Sequence, residues 1–177
     1  MKHTVYTIAT LALAVFATAC GGEESSKTPV SEVANAPQIP AGILAENPPT
    51  NAQPLHVVRA SAKQGDTIVF TGYIGGRAKP FTEGRAVFTV ADSEKAPACS
   101  DGCPIPWDAC CTPSDVIAAN SATVQIVDEG GSLLRLGLEG VGNLRPGAEV
   151  TVTGKVREAS GGLLIVDAES LFATPGS

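Results

Sequence analysis

Positive charge and aromatic rings are both scarce in this chain. Its 12 Lys and Arg stand against 18 Asp and Glu, a formal net charge of −6 over 177 residues. Nucleic-acid binding draws most of its affinity from neutralised phosphates, so an acidic chain is a poor nonspecific ligand for it. Five Phe, two Tyr and one Trp leave few faces on which bases could stack, and a nucleic-acid partner is not expected. Histidine occurs only at His3 and His56. His3 lies in a leader segment, so a Ser–His–Asp arrangement would have to recruit His56 from the end of a tether. No CxxC pair occurs, and no glycine-rich phosphate loop opens a helix. The close carboxylates Asp92 and Glu94 lie at a loop entrance and read as a solvated pair. The chain therefore reads as a non-enzyme.

A run long enough to span a membrane is missing too. Thr4 to Ala19 is mostly apolar and uncharged, but at about 16 residues it falls short of the roughly 20 that a span needs. Lys2 and His3 precede it, and Ala17-Thr18-Ala19-Cys20 closes it with small residues before a cysteine. Charged head, apolar core and small-residue end make a secretory leader over residues 1–19. The cysteine after it resembles the lipobox of bacterial lipoproteins. That resemblance implies cleavage before Cys20, lipidation of its sulfur (palmitate among the acyl groups), and a membrane partner through the anchor. Two or three acyl chains, at about 0.8 kcal/mol per buried methylene, hold a protein firmly to a bilayer. The expected location is the cell envelope, on the periplasmic side of either membrane or at the cell surface.

Residues 20–55 then read as a disordered tether. GGEESSKTPVSEVANAPQIPAGILAENPPTNAQP holds Pro29, Pro37, Pro40, Pro48, Pro49 and Pro54 and no aromatic residue. Proline fixes φ and removes a backbone donor, so neither a helix nor an inner strand survives that density.

From residue 56 to 174 the text is strand-like. DTIVFTGYIGG alternates Ile68, Phe70, Gly72 and Ile74 with Val69, Thr71 and Tyr73. RAVFTVAD follows, then ATVQIVD and SLLRLGLEG joined at Glu129-Gly130-Gly131, then EVTVTGKVRE and GLLIVDAESLF. Arg145-Pro146-Gly147 suits a type II turn. Short helical turns are expected at Pro113 to Ala119 and Val141 to Leu144. Gly72 and Gly154 interrupt strands, as glycine does where a barrel strand bends sharply. The expected fold is all-β, a small five- to six-stranded barrel. The succession GDTIVFTGYI, AVFTVAD, LRPGAEVTVTGKV and VDAESL resembles the OB-fold, a Greek-key barrel, in its anticodon-binding-like and exported bacterial forms. A cysteine-rich insert, residues 93–121, departs from the plain pattern. Its CPIPWDACC is similar to a CPxPWDxCC segment in a group of uncharacterised exported bacterial lipoproteins, a likeness that implies no particular activity.

The insert is poor in residues that could form a core, so Cys99, Cys103, Cys110 and Cys111 must hold it. Outside the cytoplasm thiols oxidise, and two disulfides are the first expectation, with no added cofactor. Adjacent Cys110 and Cys111 would pair with Cys99 and Cys103 in one of two ways, each bridge contributing about 2–4 kcal/mol. A thiolate site for Zn or Cu is the alternative, although three residues separate Cys99 from Cys103 where zinc knuckles favour two. A thiol–disulfide relay is a third, weakened because nothing near in sequence lowers a thiol pKa. Trp107 reads as a plug of the loop against the barrel, its indole N–H finding a carbonyl, with stacking on a ligand as the other role. Arg77, Lys79, Phe81 and Arg85 in GRAKPFTEGR border a possible site for an anionic small molecule or a glycan. The leading expectation is thus a membrane-anchored, extracytoplasmic binding or scaffolding module with a stapled loop and an unidentified protein or small-molecule partner. Metal binding, and oligonucleotide or glycan binding at the barrel face, stand as alternatives.

Overall fold

A computed structural model describes residues 38–99 and 102–175. The leader 1–19, Cys20 and the tether as far as residue 37 lie outside the described residues. The elements are β1 (Gln53–Pro54), α1 (Leu55–Arg59), β2 (Thr67–Ile74), β3 (Val87–Ala91), α2 (Ser114–Ala119), β4 (Ser121–Gln125), β5 (Glu149–Ser160) and β6 (Leu163–Ala173). A 3-10 turn, Pro106–Asp108, lies between β3 and α2.

Five strands close into a ring. β2 pairs antiparallel with β3 and with β5; β3 pairs antiparallel with β4; β4 runs parallel to β6; and β6 returns antiparallel to β5. This is an OB-like Greek-key barrel, and closure leaves none of its long strands an open edge to template aggregation. Strand β1 adds a short parallel pairing, Gln53 beside Phe70 and Pro54 beside Thr71.

The alternation read in the sequence does the sorting. Ile68, Phe70 and Ile74 of β2 point inward with Phe88 and Val90 of β3, Val124 of β4, Val150, Val152 and Val156 of β5, and Val166 and Leu171 of β6. Gly72 and Gly154 let neighbouring backbones approach: a Cβ on Gly72 would stand 2.5 Å from the Ala91 carbonyl oxygen. On Gly154 it would collide with the Asp167 carbonyl, where the β5–β6 register slips. Gly161 and Gly162, with φ of 56° and 80°, make the tight turn of that hairpin. Arg145-Pro146-Gly147 forms the expected turn: Gly147 has φ 80° and the Ala148 N–H donates to the Arg145 carbonyl at 3.1 Å.

Three expectations change. SLLRLGLEG is not a strand; only Leu133 bridges, to Val127. Strand β4 already pairs on both sides, with β3 and β6, so the ring offers no place beside it. Leu134, Leu136 and Leu138 instead pack against the core as an irregular cover. Val141 to Leu144 is a hydrogen-bonded turn rather than a helix. Of the stretch read as tether, residues 38–54 lie on the barrel. Ile43 is buried in the core, Leu44 bridges to Leu171, and α1 follows at once with Leu55 fully buried. No helix of the described residues is long and apolar enough to cross a membrane.

Candidate metal centre

The cysteine loop leaves β3 at Asp92, and that carboxylate is not solvated as the sequence suggested. It is 1% exposed. It accepts hydrogen bonds from the His56 backbone N–H (2.8 Å), the His56 ring at Nδ1 (2.9 Å), the Glu94 N–H (2.9 Å) and the Lys95 N–H (2.8 Å). Burial pushes its pKa upward, but these four donors outweigh burial and hold it below the ordinary carboxylate value. Glu94 stays exposed, 3.9 Å from His56 Nε2. Asp92 thus caps an otherwise unpaired N–H in the first turn of α1 and starts the loop in a fixed direction. His56, read as the end of a tether, is one side of this clamp.

Beyond the clamp the loop packs on a small satellite core of Tyr73, Ala91 and Ala96, with Trp107 and Ile117 half-buried against it. The Tyr73 hydroxyl donates to the Ala96 carbonyl at 2.7 Å. Burial first, then the charge of a Cys99 thiolate, pushes the Tyr73 pKa up to about 12, so Tyr73 remains a neutral donor. Trp107 anchors the far side: its indole N–H donates to the Ala78 carbonyl at 3.1 Å, and its own carbonyl accepts from the Gly76 N–H at 2.7 Å. Gly75 must be glycine for this closure, because a Cβ there would collide with the Tyr73 ring and the Trp107 carbonyl.

The loop is thereby folded so that four sulfurs meet. The Sγ atoms of Cys99, Cys103, Cys110 and Cys111 all lie within 4.8 Å of one another. Cys110 Sγ is 2.9 Å from Cys99 and 2.8 Å from Cys103; Cys111 Sγ is 3.8 Å from Cys99 and 3.9 Å from Cys110. None of these separations is a bonded disulfide, and all four cysteines are free. Two sulfurs from adjacent residues reach one point because Ala109 turns the chain before them. Buried Ala109 has φ 53°, the one positive φ among the described non-glycine residues. Strain of that kind persists only where the surroundings impose it. Here the Thr112 N–H bond to the Ala109 carbonyl, 2.8 Å, and the Cys99 N–H bond to Pro106, 2.7 Å, hold the two limbs together.

The sulfurs also set one another's protonation. Hydrogen bonding from Cys110, helped by the Cys111 N–H and opposed by desolvation, brings the Cys99 thiol down to about 7. Donation to Cys103 and then Cys99 holds the Cys110 thiol far above its usual range, and its hydrogen bond with Cys99 raises Cys111. The expectation that nothing lowers a thiol pKa is corrected: the perturbing groups are the other cysteines, brought close by folding. Cys110 and Cys111 are exposed, and Cys99 and Cys103 half-buried, so an incoming ion can reach the group.

The residues expected to greet a ligand divide. Lys79, Phe81 and Trp107 line one cleft, together with Glu83 and Glu139. Arg77 lines a different, smaller depression with Ala118 and Ser121, and Arg85 lines neither. The four framing residues of GRAKPFTEGR therefore do not form one cationic site, and the two glutamates of the cleft oppose an anion. Phe81 also supports the core, its ring centroid 5.7 Å from that of Phe88. No protein-family model matches the chain, and no curated protein matches it.

Proposed function

We propose that the protein is a lipid-anchored module of the cell envelope whose barrel presents a four-thiolate site for one soft or borderline metal ion, Zn²⁺ or Cu⁺, held by Cys99, Cys103, Cys110 and Cys111. One observation carries this: four sulfurs from three separate points of a loop converge within 4.8 Å. A tetrahedron of thiolates at about 2.3 Å from zinc has sulfur–sulfur edges of about 3.8 Å. The Cys99–Cys111 and Cys110–Cys111 separations of 3.8 and 3.9 Å match those edges. Soft thiolates select Zn and Cu⁺ over the hard cations. Exposure of Cys110 and Cys111 suits uptake and hand-over of the ion better than permanent burial. The envelope anchor rests on the leader and Cys20.

A second reading, a loop stapled by two disulfides, is favoured by a different pair of distances. Cys110 is closer to Cys103 (2.8 Å) and Cys99 (2.9 Å) than a zinc tetrahedron asks. The two short contacts share Cys110, so only one of them can become a bridge; Cys103–Cys110 (2.8 Å) with Cys99–Cys111 (3.8 Å) uses one of them and a longer separation. Intact mass with and without alkylation, beside elemental analysis of the chain purified without reductant, separates the two. About one ion per chain, with four loop thiols alkylatable after chelation, supports the metal centre. A mass lower by four hydrogens, no alkylation and no metal would replace it with the staple.

A further inference from the structure

A cleft of about 550 Å³ opens between the β2–β3 connection, the wall of the cysteine loop that carries Trp107, and the segment leading into β5. Its size is that of a small-ligand site, about 300–1,000 Å³. None of the four cysteines lines it, so it is separate from the metal centre. We propose that this cleft binds a neutral saccharide, with Trp107 and Phe81 as its apolar walls and Lys79, Glu83 and Glu139 as its polar contacts.

The lining dictates the class of ligand. Trp107 spends its only hydrogen-bond donor on the Ala78 carbonyl, so what it offers the cleft is carbon surface. Phe81 and Pro146 extend that surface, with Leu138 buried beneath it. Lys79, Glu83 and Glu139 are exposed at the same cleft, and among the described residues none is in an ion pair. An apolar ligand would strip water from these charges and give nothing back, which is costly. An anion would meet two carboxylates against one ammonium, and an oligocation would meet Lys79 at the same wall. A sugar ring answers both demands. Its C–H face lies against an aromatic ring, and each hydroxyl donates to a carboxylate or accepts from an ammonium. Charge-assisted hydrogen bonds of that kind are the stronger ones.

Trp107 is the chain's only tryptophan, so its emission reports occupancy directly. The full chain in detergent would be titrated with a neutral N-acetylglucosamine tetrasaccharide, with a tetra-uronate and tetralysine as charged competitors, by fluorescence and calorimetry. A saturable emission change and heat with the neutral sugar, no saturable response to the other two, and about tenfold weaker binding in Glu139→Gln and in Lys79→Ala, are expected. Both substitutions are at exposed side chains, and unchanged melting curves confirm that they fold. No saturable response up to roughly 10 mM sugar, tighter binding of either charged probe, or wild-type affinity in both variants would overturn the proposal. None of these outcomes depends on metal content, so a failed metal assay leaves the test intact.

Discussion

Asp92 shows how one side chain can decide the geometry of a loop. Its carboxylate collects donors from α1, from the His56 ring and from the first residues of the cysteine loop. Asp92→Ala strands those partly buried N–H groups and is expected to destabilise the domain by about 1–3 kcal/mol, read by denaturant unfolding. Linkage fixes the sign of the pH effect. The folded pKa lies below the unfolded one, so the stabilisation is complete above the unfolded carboxylate value. It is lost as pH falls through the folded value. A stability difference between wild type and Asp92→Ala that narrows on acidification below about pH 4 checks this. At the sulfurs, Cys110 is within 2.9 Å of two partners. Cys110→Ser is therefore expected to cost at least tenfold in Zn²⁺ affinity, measured by competition with a chelator. Thiol protons must leave before an ion binds, so wild-type affinity should rise with pH from 6 to 8, with proton release that buffer-dependent calorimetry detects.

At the scale of elements, the cysteine loop is fastened at three places: the Asp92 clamp, the satellite core under Tyr73, and the Gly75–Gly76 clasp on Trp107. Gly75→Ala puts a methyl group into the Tyr73 ring and the Trp107 carbonyl. A loss of about 1–3 kcal/mol is expected, with a red-shifted Trp107 emission while the far-ultraviolet dichroism of the barrel persists. An unshifted spectrum and melting curve would show that the clasp does not hold the loop. The strands themselves were legible in the sequence because period-two alternation and turn chemistry agree there. Ile68, Phe70 and Ile74 face inward as written, and Pro146-Gly147 turns as written. Alternation in Leu134, Leu136 and Leu138 misled, since it records burial alone and cannot tell a strand from a cover over a closed ring. His56 and Asp92 misled for another reason. They are 36 residues apart in sequence, and only β1 and α1, docked by Leu44, Gln53 and Leu55, bring them together. The one local sign was Asp92 followed by Ser93-Glu94-Lys95, the pattern of a side chain that bonds the N–H groups two and three residues on.

Taken together, the described residues form a closed five-stranded barrel carrying one long loop, and in that loop the four sulfurs meet. The sequence pointed to the four cysteines and to Trp107, but spacing alone left staple, metal and relay open. Convergence of the sulfurs depends on Ala109 in a left-handed conformation and on the packing under Ala96, and no residue pattern announces either. The barrel supplies the fixed ends that make such convergence inexpensive: β3 and β4 are paired along Val87–Ala91 and Ser121–Gln125, so both ends of the insert start from held positions. X-ray absorption at the zinc edge of the zinc-loaded chain measures the centre itself. Four sulfur neighbours at about 2.3 Å are expected; a shell dominated by oxygen or nitrogen, or one with fewer than three sulfurs, would contradict a centre built from Cys99, Cys103, Cys110 and Cys111.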